Sequence, residues 1–250
     1  MTDSLAPEAV APHLACGFGT PYVYEPECES TQLLLLGSGL PEGAVAATDH
    51  QTAGRGRMGR KWEAPPRTAL LASVLLEPPE GRHLPELSLV AALAAAETVE
   101  VATNLAAQVK WPNDVMVNRR KVAGILSELS EGVVVVGIGL NVNQARDELP
   151  LDAPTPPASL RTLTGTAYDR AALLGSLLER LERMYDLWRA DGLDALYDDL
   201  GARNFLHGRR VTVDGEQATA WRILRDGRLE IETDAGEARV VESGEVAFVR

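Results

Sequence analysis

The chain has 250 residues, 45% hydrophobic and 24% charged, which is ordinary for a globular protein and enough for one main domain with an appendage. Thirty-six acidic against 24 basic residues give a net charge of -12; such a balance repels a phosphate backbone unless the cations gather on one face, so DNA binding is not expected. The longest apolar stretches, such as 133–140, are far shorter than the roughly 20 residues of a membrane helix, and residues 1–20 contain no Lys or Arg, so neither a membrane span nor a secretory signal is expected and the location implied is cytoplasmic.

Residues 1–20, interrupted by proline and glycine, hold no sustained periodicity and read as an irregular arm. Ser30 is a good helix N-cap ahead of Thr31, Gln32 and the apolar run 33–36, with Gly37 and Gly39 as stops. Residues 44–48 suit a buried strand, followed by a glycine- and arginine-rich loop to Gly59 that Trp62 closes. A strand is expected over 69–76 and an alanine-rich helix over 84–102. Next come strands at 107–111, 114–117, 122–128 and 133–140, with 118–120 as a hairpin turn. Four closely spaced strands after one helix predict an α+β fold with mixed or antiparallel pairing, because parallel neighbours need long crossovers. The proline-rich stretch 150–157 reads as a loop, 170–190 as an amphipathic helix with a shorter one to Leu200. Five short strands at 209–213, 219–224, 229–233, 238–241 and 246–249 follow. The turn signals Asp214-Gly215, Asp226-Gly227, Ala235-Gly236 and Ser243-Gly244 separate them, which predicts a small β-barrel. Cys16 and Cys28 form no CxxC pair, so neither a disulfide framework nor a structural zinc site is expected.

Four segments carry chemistry. Gly54-Arg55-Gly56-Arg57-Met58-Gly59-Arg60-Lys61-Trp62 formally satisfies GxGxxG. A dinucleotide fingerprint must open a helix directly after a strand, and Pro65-Pro66 bars one here. The glycines instead suit a flexible loop that brings backbone amides and four cations to an anion; a solvated basic surface loop is the plain alternative. Lys110-Trp111-Pro112-Asn113-Asp114 displays a cation, an amide and a carboxylate at a broken strand end, as a simple polar turn also would. Lys121 stands at the mouth of an apolar strand with Gly124 on it, where lysine also serves to guard a strand edge. The strand 137–143 bears Gly137 and Gly139, which permit close approach, and ends in Asn141 and Asn143.

Together with Glu29-Ser30-Thr31-Gln32 and Gln51-Thr52-Ala53, these segments resemble, in order and spacing, the biotin protein ligase family. The resemblance runs from about Glu29 to Asn143, and Arg203-Asn204-Phe205 ahead of five short strands looks like the family's C-terminal SH3-like domain. It implies a catalytic domain over 1–202 and an SH3-like barrel over 203–250. It also implies biotin and ATP as substrates, with Mg2+ on the phosphates, and a biotin carboxyl carrier domain of a carboxylase as acceptor. Ser30, Thr31 and Gln51 would hydrogen-bond the ureido ring, with Gln32, Gly54 and Arg55 in the same pocket, and Gly124 and Gly139 would leave room for the bicycle. Arg57 and Lys121 would clamp the biotin carboxylate and the adenylate phosphate. Arg60, Trp62, Lys110, Asn113, Asp114 and Asn141 would lie on the ATP side, with Arg57 shared, and Asp114 would receive or orient the carrier amine. Arg57, Lys121 and Asp114 form the implied catalytic set. Sheet-edge dimers and monomers both occur in such folds, so a homodimer stays open.

Two rival readings follow from the resemblance. Some family members repress transcription through an N-terminal helix-turn-helix domain, but only 28 residues precede Glu29, too few to fold unaided, so repressor activity is not expected. A lipoate- or octanoate-attaching enzyme would use nearly the same chemistry on a flexible chain, with a different usual loop pattern from 54–62.

Overall fold

The computed structural model describes residues 3–130, 132–242, 244 and 246–248. A central sheet is built from β1 (Tyr22–Cys28), β2 (Val45–Gln51), β3 (Ala69–Leu76), β4 (Ala107–Lys110), β5 (Asp114–Val117), β6 (Arg120–Ser130) and β7 (Val133–Asn141). Their order is β1-β2-β3-β7-β6-β5-β4. Only β1 and β2 run parallel; the consecutive strands β4 to β7 are antiparallel, as their short connections require. Asn118 and Arg119 both take positive φ at the β5–β6 turn, the backbone of a tight hairpin whose twist matches the strands.

The helices are α1 (Pro7–Val10), α2 (Thr31–Leu35), α3 (Glu86–Thr103), α4 (Leu160–Thr164), α5 (Arg170–Asp191) and α6 (Tyr197–Ala202). α3 packs against both the sheet and α5, which is why its alanines and leucines are buried nearly all round instead of along one stripe. The Asp169 carboxylate accepts the N–H groups of Ala171 and Ala172 and starts α5. α2 covers the other face of the sheet over a small second core of Leu35, Ala46, Leu75 and Val135. Among the described residues no helix is long and apolar enough to cross a membrane. Both cysteines are free thiols, and burial together with Glu182 pushes Cys16 up to about 11.

Three local expectations are corrected. The N-terminal arm is not irregular: it holds α1 and a 3-10 turn at Ala11–His13, with Leu5 and Val10 fully buried. The strand β1 and the short helix α4 were not expected. Ser30 has the extended backbone of an N-cap, yet its side chain makes no capping bond to α2.

After α6 come β8 (Arg209–Val213), β9 (Glu216–Ile223), β10 (Leu229–Thr233), β11 (Ala238–Val241) and β12 (Val246–Phe248), all antiparallel, in the order β11-β10-β9-β8-β12. The expected strands are present, but closure into a barrel is not: β11 and β12 are the two ends of the order, unpaired with each other among the described residues. Ser243 and Val249, part of the last expected turn and strand, lie outside the described residues. This sheet joins the larger one through β4, whose Val109 exchanges backbone hydrogen bonds with Arg203 and Phe205, covering what would be an open strand edge. The Trp111 indole N–H donates to the Gly227 carbonyl at 2.8 Å, and one apolar core runs from Leu140 and Val109 through to Phe205, Val211 and Ile231.

Candidate active site

Alternation along β7 fixes where the site lies. Val134, Val136, Ile138 and Leu140 enter the main core, whereas Val135 faces α2; by the period of two, Gly137, Gly139 and Asn141 continue that second face beyond the cover of α2. Their register partners complete the surface. Gly139 lies between Leu71 and Gly124, Gly124 pairs with Asp114, and Asp114 pairs with Lys110. Gly137 lies between Ser73 and Leu126. Glycines therefore remove the side chains from the middle of a charged row and leave a depression beside its lysines and carboxylate.

This depression belongs to a cavity of about 180 Å³ lined by Ser30, Thr31, Gln32, Gln51, Arg55, Arg57, Arg60, Trp62, Lys110, Asn113, Asp114, Lys121, Gly124, Gly139 and Asn141. Fifteen of the expected site residues thus meet in one place, brought from six chain segments. Gly54 is the exception. It forms the neck of the glycine loop, where its carbonyl accepts the Trp62 N–H at 2.9 Å and where a Cβ would stand 2.2 Å from the Trp62 carbonyl oxygen; only glycine fits there.

The loop folds as a small hairpin, with Gly56 N–H donating to Arg60 O at 2.7 Å and the exposed Met58 in a left-handed conformation at the tip. Arg55 borders the cavity, and its guanidinium is paired with Glu128 on β6, which ties the loop to the sheet. The Arg57 guanidinium donates to Asn113 Oδ1 at 3.4 Å. Asn113 in turn donates its amide to Ile125 O at 2.7 Å, which makes it a bracket between β6 and Arg57.

The Trp62 indole extends beyond the nucleotide side expected for it. A Cβ on Gly139 would approach the indole to 2.6 Å and one on Gly124 to 3.1 Å, so the indole lies on the two glycines the resemblance gives to the biotin ring. Any ligand seated on that floor must displace it. The indole Nε1 is buried with no hydrogen-bond partner among the described residues, and the Lys121 ammonium sits 5.7 Å from the ring centroid.

Asp114 is flanked by two cations, Lys121 Nζ at 2.6 Å and Lys110 Nζ at 3.9 Å. Lys121 is also held by its backbone, which donates to Pro156 O at 2.8 Å and accepts from Ala158 N–H at 2.9 Å. At the far end, Gln51 Oε1 accepts the Thr31 N–H at 2.9 Å, and the Thr31 hydroxyl shares a 2.7 Å hydrogen bond with the buried Ser73. Gln32 is occupied differently: its amide donates to Leu126 O at 3.0 Å and Val135 O at 3.5 Å, and it packs on Gly137. It is therefore part of the cavity wall, with its donor end spent on backbone. His50 pairs with Glu27 across β1 and β2 at 2.8 Å, away from the chemistry. Among the described residues no group of three His, Cys, Asp or Glu could hold a metal.

Sequence reasoning missed the opposite wall, formed by Pro150, Ala153, Pro154, Thr155 and Pro157 with Gly244 and Val246 from the C-terminal sheet. The prolines signalled only a loop, and no local signal tells that its end is stitched to Lys121.

Comparison with known proteins agrees with this geometry. The pattern of the Biotin/lipoate A/B protein ligase family matches residues 27–144. The biotin--[acetyl-CoA-carboxylase] ligase of Mycobacterium tuberculosis is 38% identical over 222 residues, covering 84% of this chain and 80% of that protein. The bifunctional ligase/repressor BirA of Bacillus subtilis is 31% identical over 235 residues, 89% of this chain and 72% of the relative. Among solved structures, the biotin protein ligase from Aquifex aeolicus in complex with biotin and ATP superposes with a TM-score of 0.83 at 32% identity, covering 92% of this chain and 98% of that one. A cationic loop over a glycine floor, on this fold and with relatives of this identity and coverage, makes the chain a member of the biotin protein ligase family.

Proposed function

We propose that the protein activates biotin with ATP and transfers it to a lysine of a biotin carboxyl carrier domain. The observation that carries this reading is the glycine floor of Gly124 and Gly139 beside Arg57 and Lys121: a flat recess for a rigid bicycle, with cations where its carboxylate and the nucleotide phosphates must meet. In the first step the biotin carboxylate attacks the α-phosphate of ATP, forming biotinyl-5'-AMP and releasing pyrophosphate. Two anions approach to bonding distance, so fixed cations in a water-poor cavity are the main requirement. Arg57 and Lys121 meet it at the junction, Arg60 and Lys110 on the nucleotide side. In the second step the carrier amine attacks the mixed-anhydride carbonyl and AMP leaves. Asp114 is the group proposed to orient that amine or take its proton.

Ser30, Thr31 and Gln51 are proposed to bind the ureido ring, with Gln32 as wall. Asn113 acts through Arg57. Magnesium would be carried by the nucleotide phosphates, as is common for this ion, and we assign it no protein cage. Residues 203–250 are proposed to form an SH3-like unit distinct from a catalytic unit over 1–202, and the cytoplasm is the proposed location. We propose no repressor activity; a gel-shift at physiological salt is expected to give no retarded band.

The decisive experiment incubates the protein with ATP and labelled biotin and, separately, labelled lipoate. Biotinyl-adenylate and pyrophosphate are expected with biotin alone; adenylation of lipoate in preference to biotin overturns the reading. Gly139→Ala is expected to raise the KM for biotin at least tenfold, because the new Cβ occupies the floor, with a smaller change in the KM for ATP. The glycine loop should also become protected. Tryptic cleavage within 54–61 is expected to slow when biotin and ATP are added together, as the loop closes over the adenylate; an unchanged cleavage rate counts against closure.

A further inference from the structure

The glycine hairpin is tied to β6 by a charge pair that the proposed chemistry does not use. By the period of two, Gly124, Leu126 and Glu128 share one face of β6. Gly124 belongs to the floor, Leu126 lines the cavity beside it, and Glu128 stands one step further along. The Arg55 guanidinium donates to Glu128 Oε1 at 2.5 Å. Between the hairpin and this strand lies a second hollow, of about 410 Å³, lined by residues 53–61 with Leu126 and Glu128. The loop thus spans a space instead of packing along its length on an apolar surface, which leaves polar ties to set where it sits. Arg55 is well placed to do so. It forms a backbone bridge with Lys61, flanked by the Gly54–Trp62 and Gly56–Arg60 hydrogen bonds. Fixing this side of the hairpin therefore fixes the other, which carries Trp62 and its indole over Gly124 and Gly139.

We propose that Glu128 is a positioning residue: through Arg55 it holds the glycine hairpin over the site before substrate arrives, so that less ordering is left to be done when the ring-bearing acid binds. This rests on the reading of the cavity as the biotin site. A loop that must be recruited from an open ensemble weakens the apparent affinity of its ligand by the fraction of time it spends closed, and a tie formed in the unliganded protein raises that fraction. The second observation is the cost of the arrangement. Glu128 Oε2 is buried and has no hydrogen-bond partner among the described residues, a desolvated carboxylate oxygen that a surface pair kept for stability alone would avoid. Glu128 touches neither the glycine floor nor the row of Lys110, Asp114 and Lys121, so it acts on the site through the loop.

The test uses the full chain and compares Glu128→Gln, Glu128→Ala, Arg55→Ala and the double variant Arg55→Ala with Glu128→Ala. Two quantities are read: the rate of tryptic cleavage after Lys61 without ligand, and the Kd for biotin. The pair is partly exposed, so each Glu128 variant is expected to favour the open loop by about two- to fivefold. The change shows as faster cleavage where the wild-type loop is mostly closed and as a weaker Kd where it is mostly open, with Tm within about 2 °C of wild type. Glu128→Ala is expected to add nothing to the cleavage rate in the Arg55→Ala background. The proposal is overturned if Glu128→Gln, which keeps the size of the side chain, leaves both cleavage and Kd at the wild-type values, or if the Glu128 and Arg55 effects on cleavage simply add. Should Glu128→Ala fail to fold, Glu128→Gln carries the same comparison. Failure of the wild type to bind biotin overturns the parent reading, whereas the cleavage measurement needs no biotin and decides this inference alone.

Discussion

Arg170→Met is expected to lower the free energy of unfolding by about 3–5 kcal/mol, the usual cost of removing one partner from a buried ion pair. At roughly 2–4 °C per kcal/mol for a chain of this size, Tm should fall by about 6–20 °C. Arg170 is fully buried and binds four acceptors: Asp3 Oδ1 and Asp49 Oδ1 by its side chain at 3.0 and 2.9 Å, the Ala69 carbonyl at 2.9 Å and the Asp3 carbonyl at 3.0 Å. Methionine fills much of the space but leaves the Asp49 carboxylate buried with, among the described residues, only the exposed Arg67 as a cation, 3.4 Å away. Asp49→Asn should cost less alone, and the double variant should cost less than the sum of the two, because each change removes the reason the other hurts. A Tm within 2 °C of wild type for Arg170→Met would refute the account.

The same cluster sets an acid limit. Burial pushes the Asp49 carboxyl up, but the Leu5 N–H, the Ser4 hydroxyl and Arg170 outweigh it and hold the group below the usual carboxylate range. A depressed folded-state value means that its stabilisation is fully present above the unfolded value, near 4, and is lost as pH falls through the folded one. Arg170→Met removes one of the lowering groups, so its acid unfolding should begin at higher pH than that of the wild type. Urea unfolding between pH 3 and 7 measures both effects.

None of this cluster was legible in the sequence, and the reason is separation along the chain. Asp3, Asp49 and Arg170 carry no local pattern, and the arm looks irregular because its order comes from one guanidinium more than 160 residues away. β1 escaped for a different reason. Tyr22–Cys28 contains Pro26 and two glutamates and lies at a sheet edge paired only with β2, so it lacks the two-sided apolar run that revealed β3 and β7. The helix α4 did carry its signal, Ser159 three residues before Thr162, but a five-residue helix offers no periodicity. What could be read was everything that depends on glycine and strand alternation. Gly124, Gly137 and Gly139 interrupt apolar strands where a floor is needed, and the cations flank them at hairpin ends. The seat of the Trp62 indole could not be read, since it depends on how the loop folds back over β6 and β7.

Lys121→Ala is expected to reduce the rate of biotin adenylation by about 10²–10³, some 2.7–4 kcal/mol of lost charge stabilisation, with a lesser change in the KM for biotin. The ammonium is held by the Asp114 carboxylate at 2.6 Å and the residue's backbone by bonds to Pro156 and Ala158, so under the proposed mechanism it would meet the reacting carboxylate already oriented. Lys121→Arg should recover little, because a planar fork is bulkier than a compact ammonium and meets the Asp114 carboxylate in a different geometry. Asp114 separates the two half-reactions. If its role is to receive the carrier amine, Asp114→Ala should slow transfer from preformed biotinyl-adenylate at least as strongly as it slows adenylation. If it serves only to hold Lys121, adenylation should fall while transfer from the preformed adenylate stays near wild type. Supplying synthetic biotinyl-5'-AMP to both variants therefore divides the cavity by function. Lys121→Ala is expected to regain a large share of its activity when the adenylate is supplied and Asp114→Ala to regain little; the reverse order would exchange their roles.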